Sequence, residues 1–116
     1  MSREYTPDEI RAMFLDHINT MVKYWAGLDE PVEWKLHGLA FSIMKVLDGC
    51  THLPRFIVAP LSCEEDKQFY IEEGDDYFPV NTEIAKVING DIAGCLHELL
   101  PLPQVIPNIP AKHRPH

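Results

Sequence analysis

The chain has 116 residues, a formal net charge of −8 and 46% hydrophobic residues. This length and composition predict one soluble globular domain that needs no metal or disulfide to be stable. Its ten Lys and Arg residues are scattered, so direct binding of nucleic acid, which depends on phosphate contacts from such residues, is not expected. An acidic surface instead suits a basic protein partner, or serves solubility alone.

The start of the chain and its cysteines indicate a cytoplasmic protein. The first residues are charged and polar, unlike a signal peptide. No stretch reaches the roughly twenty apolar residues of a membrane span. Cys50, Cys63 and Cys95 are odd in number and widely spaced, which is typical of reduced cytosolic thiols. We therefore expect no membrane association, no disulfide, no zinc and no cofactor, and we expect Cys63 and Cys95 to be small buried residues.

Two long helices are predicted in the first half of the chain. Thr6, Pro7 and Glu9 have the spacing of a capping box with proline at the first helical position. Apolar residues at helical spacing follow, and Gly27 suits the C-cap. A second helix should occupy residues 31–47 and pack against the first as an antiparallel hairpin.

The second predicted helix is apolar over more than half its surface, which is typical of a helix packed between neighbours. Gly38 lies within it and should permit close helix packing. Phe41 and Val46 widen the apolar face. The predicted inner face comprises Val32, Leu36, Leu39, Ala40, Ile43, Met44 and Leu47.

A strand is predicted at residues 55–59, where a β-branched run lies between Pro54 and Pro60. A lone strand would leave its backbone groups unpaired, so we expect a partner strand at residues 77–80 or 84–88. A helical turn is the alternative for residues 84–88.

These elements predict an α+β fold in which the helical hairpin packs on a small two- or three-stranded sheet. Short additional helices are expected at residues 63–73, where Ser62 would provide the cap, and at residues 92–100. Residues 1–100 should form the single globular domain. Residues 101–116 carry five of the ten prolines and are predicted to form a proline-rich tail, since proline is excluded from helix interiors and central strands.

An acidic segment mixed with aromatic residues is the best candidate for a functional surface. Residues 64–76 hold seven of the eighteen carboxylates and a single lysine. Aromatic residues lie among them, as is typical of a folded surface that contacts a partner. The predicted interaction surface comprises Glu72, Glu73, Asp75, Asp76, Tyr77 and Phe78. In the alternative interpretation, the aromatic residues close the core and the carboxylates form a solvated face without a specific role.

Motifs for catalysis or metal binding are incomplete. The dipeptide at residues 97–98 begins like a zinc-protease helix, but Pro101 stands where the second histidine is required. The cysteines lack the paired spacing of a zinc site, and the carboxylates of residues 64–76 lack the EF-hand spacing for calcium. His17 and His37 lie in apolar helices, where we expect partly buried, hydrogen-bonded side chains. Roles for these two residues and for His97 stay open.

Three segments together resemble a family of short bacteriophage and prophage proteins without an assigned activity. They are Leu-His-Gly-Leu-Ala-Phe-Ser-Ile-Met-Lys-Val-Leu-Asp-Gly at residues 36–49, Glu-Glu-Gly-Asp-Asp-Tyr-Phe-Pro at residues 72–79, and Asp-Ile-Ala-Gly-Cys-Leu-His-Glu-Leu at residues 91–99. The resemblance transfers no catalytic residue. It implies a phage accessory protein in bacterial cytoplasm that contacts a host or phage protein, inhibition of a host factor being one such action.

Two classes of function therefore stay open. The first is a protein that acts by protein–protein interaction through its acidic and aromatic surface, with a homodimer as a further possibility. The second is a small enzyme or small-ligand-binding protein with a pocket of Cys, His and Glu side chains. A structural protein of the virion is a third, weaker option. Converging histidines and carboxylates would favour the enzyme, whereas exposed aromatic residues would favour the interaction protein.

Overall fold

Five helices make up the regular structure of residues 2–101, which are the residues that the computed structural model describes. They are α1 (Pro7–Ala26), α2 (Val32–Leu47), α3 (Glu64–Glu72), α4 (Thr82–Ala85) and α5 (Leu96–Leu99). None of these helices has the length and apolar character needed to cross a bilayer. Apart from Pro101, the predicted proline-rich tail lies outside the described residues.

The N-terminus of α1 confirms the predicted capping box. The Thr6 hydroxyl accepts a hydrogen bond from the Glu9 N–H at 3.2 Å, and the Glu9 carboxylate accepts one from the Thr6 N–H at 3.0 Å. Arg3 adds a hydrogen bond of 2.7 Å to the same carboxylate. The Arg3 hydrogen bond and the Thr6 N–H together lower the pKa of Glu9 to about 2. At the other end of α1, Gly27 is the C-cap, as predicted.

The two long helices form an antiparallel hairpin in which a glycine of α2 packs against a tryptophan of α1. A Cβ atom added to Gly38 would lie 2.4 Å from the Trp25 ring, so this position of α2 has no room for a side chain. The Trp25 indole N–H donates a hydrogen bond of 2.9 Å to the Ser42 hydroxyl on the next turn of α2. The predicted role of Gly38 in close helix packing is therefore confirmed.

The core lies between the open end of this hairpin and the segments that follow it. Phe14 on α1 meets the ring of Phe56 edge to face, with the ring centroids 5.3 Å apart. The short helix α5 also contacts α1. The buried apolar residues are Phe14, Leu15, Ile18, Val46, Leu53 and Ile92.

The predicted inner face of α2 is only partly correct. Leu39, Ile43 and Leu47 are half-buried beside the buried Gly38 and Val46. The other four residues of the predicted face are exposed: Val32, Leu36, Ala40 and Met44. Hydrophobic periodicity cannot orient a helix that is apolar nearly all round. The contact of Gly38 with Trp25 sets the orientation instead.

The predicted sheet is absent, and the α+β fold class is wrong for the described residues, which are helical. Residues 55–59 pair with no strand, and Ile57 and Val58 are 74% and 73% exposed. The Phe56 N–H donates instead to the Leu47 carbonyl at the end of α2, at 3.0 Å. The single bridge found within residues 2–101 is parallel and joins Ser62 to Val80.

The predicted partner strands form other structures. Residues 84–88 begin within the short helix α4, in agreement with the helical alternative, and residues 77–79 are extended without a ladder. The segment at 55–59 therefore has no partner. Phe56 is half-buried against the core, whereas the neighbouring Arg55, Ile57 and Val58 are exposed.

The shorter helices follow the prediction in part. Helix α3 lies within the predicted residues 63–73, although its N-cap is Cys63, without a side-chain cap, and not Ser62. Helix α5 is much shorter than the predicted residues 92–100. The Asp91 carboxylate accepts a hydrogen bond from the Ala93 N–H at 3.0 Å, and Gly94 has a φ of +121°. These local features delay the helix until Leu96.

Candidate interaction surface

Residues 63–79 form an excursion from the helical core, which we call the acidic projection. Its base is closed by the bridge between Ser62 and Val80. Next to this bridge, the Asn81 N–H donates to the Ser62 carbonyl at 3.3 Å. The Asn81 side-chain amide donates to the Pro60 carbonyl at 2.8 Å. The two ends of the projection are thus fixed to each other and to the segment that precedes them.

Beyond its base, the projection is stabilised by local contacts. No residue of α3 is buried, and no other helix of residues 2–101 contacts it. The chain reverses at Gly74, which has a φ of +77°, and the Asp75 N–H donates to the Tyr70 carbonyl at 2.9 Å. The Lys67 ammonium lies 5.3 Å from the centre of the Tyr77 ring, a cation–π contact that connects α3 to the extended segment after Gly74.

All six residues of the predicted interaction surface are exposed, with Glu72 and Glu73 at the end of α3 and the other four after the reversal at Gly74. Tyr77 and Phe78 keep 51% and 61% of their surface accessible, although aromatic side chains of this size usually favour burial. Phe69 on α3 is 57% exposed. The aromatic residues therefore do not close the core. They lie on the same excursion as Glu72, Glu73, Asp75 and Asp76.

The carboxylates of the projection lack ion-pair partners among the described residues. The ion pairs between residues 2 and 101 connect Arg3 with Glu9, Arg11 with Asp8, Lys86 with Glu83, and His97 with Glu98. None of them involves the projection. The projection has seven carboxylates and a single lysine. That lysine lies against an aromatic ring. The projection therefore concentrates negative potential beside exposed apolar surface.

The cysteines do not come together in a site. Cys50 and Cys95 are exposed and Cys63 is half-buried, so the prediction that Cys63 and Cys95 are buried is wrong. Between residues 2 and 101, no group of three or more His, Cys, Asp or Glu side chains is arranged to hold a metal ion.

The histidines are also dispersed. The ring of His17 meets that of His52 edge to face, with the centroids 5.3 Å apart. No local sequence pattern could predict this pair, because it joins α1 to the loop after α2. His37 is exposed on α2, contrary to the prediction of partial burial. His97 and Glu98 are exposed neighbours on α5, with 3.8 Å between Nε2 and Oε1.

A cleft of about 420 Å³ lies between α1 and the chain around α5, but its lining does not resemble the predicted pocket of Cys, His and Glu side chains. Its polar residues are Asp8, Arg11 and Asp16, and Leu99 and Pro101 form part of its apolar wall. Arg11 is already bound, because its Nε donates to the Ile92 carbonyl at 3.1 Å and its Nη1 donates to Asp8 at 2.7 Å. The described residues that line the cleft include no histidine, cysteine, serine or threonine.

A comparison of the chain with protein-family models, with curated proteins and with solved structures finds no match. The resemblance to phage proteins stays a prediction from the sequence. The arguments for function that follow rest on the geometry of the acidic projection.

Proposed function

We propose that this chain is a small accessory protein of a bacteriophage or prophage that acts by protein–protein interaction in the host cytoplasm. The acidic projection contacts a basic surface of a host or phage protein. The observation that supports this proposal is the exposure of Tyr77 and Phe78 on the same excursion as four carboxylates without ion-pair partners.

The two kinds of side chain contribute differently to binding. Carboxylates on a projecting segment attract a basic partner from a distance and raise the association rate. Aromatic residues are enriched among the residues that provide most of the binding energy, because they bury a large area with little loss of conformational freedom. A partner surface with lysines or arginines around an apolar patch would bind both the carboxylates and the aromatic side chains of the projection. Occupation of such a patch would block whatever the host factor binds there.

The interaction proposal is favoured over the small enzyme because the chemistry of an active site is dispersed. The exposed thiols, the His17–His52 pair and the projection lie on different elements. The polar lining of the cleft consists of Arg11, which is hydrogen-bonded to Asp8, and of Asp8 and Asp16. The described residues that line it include no histidine or thiol. No specific observation supports a second candidate function.

The proposal is tested by affinity capture from bacterial lysate followed by mass spectrometry, with three forms of the chain. The first is wild type, and the second carries Glu72→Gln, Glu73→Gln, Asp75→Asn and Asp76→Asn. The third is a control with the same change in net charge on exposed carboxylates elsewhere, and carries Asp29→Asn, Glu30→Gln, Asp48→Asn and Glu98→Gln.

We expect wild type and the control to capture the same basic protein and the projection variant to lose it. Added salt should weaken the wild-type capture, because surface charges are screened over about 8 Å at physiological ionic strength. Equal loss in both variants would show that overall charge, and not the projection, attracts the partner. Equal capture by all three forms would contradict the proposal.

The aromatic contribution is tested separately with Tyr77→Ala combined with Phe78→Ala. This variant keeps every carboxylate, so we expect the association rate to change little and the dissociation rate to rise. An unchanged dissociation rate would show that these two rings lie outside the interface.

A further inference from the structure

The outward face of α2 is an apolar surface that the described residues leave uncovered. Leu36 is 62% exposed, Phe41 58% and Met44 53%, and Ala40 lies among them. Trp34, about two turns before Phe41 along the helix, is 70% exposed on the same side as Phe41, and the exposed His37 lies between these two side chains and the row of Leu36, Ala40 and Met44. Single exposed apolar residues are ordinary on protein surfaces, whereas a continuous stripe along a helix marks an interaction surface. We propose that this face binds the same face of a second copy of the chain, which forms an antiparallel homodimer.

The charge distribution favours a second copy as the occupant. The chain carries a net charge of −8, so two copies repel each other over most of their surfaces. Helix α2 is the exception, because it holds two lysines and one glutamate, whereas each of the other four helices between residues 2 and 101 has a negative formal charge. Two copies therefore approach with least repulsion at α2.

The positions of two charges determine the orientation. Glu33 is exposed in the first turn of α2, and Lys45 is exposed in the last turn. A two-fold axis near the middle of the helix places Glu33 of each copy at the level of Lys45 of the other. A parallel arrangement would instead place like charges together. The small side chain of Ala40, near the crossing point, lets the two helices approach.

The exposed area is sufficient for a weak to moderate dimer. Aromatic side chains bury about 150–250 Å² each when fully covered, and Trp34 and Phe41 have 70% and 58% of their surfaces available. When the exposed areas of Leu36, Met44 and the neighbouring residues are added, the two copies together would bury on the order of 1,200 Å². This area is the lower bound of specific interfaces. Each dimer would also carry two acidic projections, which would strengthen binding to a partner with two sites.

The test is sedimentation equilibrium of the full chain from micromolar to millimolar concentration. We expect a monomer–dimer equilibrium that Leu36→Glu weakens at least about ten-fold, because the new carboxylate would be buried in the interface without a partner. Val87→Glu is the matched control, since Val87 is exposed outside α2, and we expect it to leave the dimer unchanged. Leu36 is exposed in the monomer, so the variant should fold as wild type does.

A charge exchange tests the antiparallel orientation. Glu33→Lys and Lys45→Glu should each weaken the dimer, and the two together should restore it, because the pair is reformed with opposite signs. A chain that stays monomeric at millimolar concentration would overturn the proposal and would leave this face to another protein or to the rest of the chain. A dimer that is insensitive to Leu36→Glu, or that the double exchange does not restore, would also overturn it.

Discussion

The helical hairpin and the acidic projection use apolar residues in opposite ways. In the hairpin, Phe14, Ile18 and Val46 are buried, and Gly38 brings the helices into contact at Trp25. In the projection, no residue of α3 is buried, and Phe69, Tyr77 and Phe78 are exposed on the same segment as the carboxylates. Under our proposal, the hairpin provides the stability of the fold and the projection provides recognition. Substitutions in the two regions should therefore separate the two properties.

The largest effect should come from a phenylalanine in the hairpin. Phe14→Ala removes a buried ring that packs against Phe56, so we expect a loss of about 3–5 kcal/mol in the free energy of unfolding. Phe69→Ala removes the same group from an exposed position on α3 and should change that free energy by less than roughly 0.5 kcal/mol. Urea denaturation measures both. Similar losses for the two variants would refute the division between the regions.

A smaller loss is expected from Gly38→Ala. Alanine favours helix over glycine by about 1 kcal/mol, but its Cβ would lie within 2.4 Å of the Trp25 ring. Overpacking of this kind costs about 1–3 kcal/mol, so the net change should be destabilising. Thermal unfolding measures the change in stability, and tryptophan emission, compared with that of a Trp34→Phe background, reports the surroundings of Trp25. A more stable variant would show that α1 and α2 separate easily at this point.

The capping box of α1 should contribute about as much as other such caps, and Thr6→Ala should lower the free energy of unfolding by about 1 kcal/mol. Thr20→Ala is the matched control, because Thr20 lies in the exposed middle of α1. Equal effects of the two variants in denaturant titrations would mean that the cap does not stabilise the hairpin.

The Glu9 carboxylate gives this cap a dependence on pH. Its pKa in the folded chain is lowered from 4.5 to about 2 by Arg3 and Thr6. Its stabilising effect is therefore complete above about pH 4.5 and decreases as the pH falls toward 2. We expect the difference in melting temperature between wild type and Glu9→Gln to be constant at neutral pH and to shrink in that acidic range. A difference that does not vary between neutral and acidic pH would contradict the prediction.

The smallest effect on stability should come from the projection itself. The variant with Gln and Asn at residues 72, 73, 75 and 76 removes like charges from neighbouring exposed positions, so some repulsion is relieved and few contacts are lost. We expect its thermal unfolding to match that of wild type within experimental error. A clear fall in melting temperature would show that these carboxylates support the fold, and would weaken the case for a binding role.

The features that the sequence predicted well depend on neighbouring residues. The cap formed by Thr6 and Glu9, the C-cap at Gly27 and the helix within residues 63–73 all follow from side chains a few positions apart. The close contact at Gly38 was predicted because a glycine within an apolar helix has few other uses. The exposed carboxylates of the projection were predicted from their local density.

The features that were predicted wrongly depend on distant parts of the chain. Residues 55–59 have the composition of a strand, but the Phe56 N–H pairs with the end of α2, and no second strand is available. The pattern of α2 is apolar on nearly every side, so only its contact with Trp25 determines which residues face inward. The exposed stripe through Leu36 could not be recognised before the position of α1 was known.

The central claim, that the projection binds and the hairpin supports it, is tested most directly by an NMR titration. The full chain, labelled with ¹⁵N, is titrated with a synthetic amphipathic peptide that carries lysines on one face and leucines on the other. We predict that the amide shifts concentrate in residues 64–78 and disappear with the four-fold projection variant. Shifts that concentrate instead at Asp29, Glu30 and Asp48, or the absence of any shift, would contradict the account.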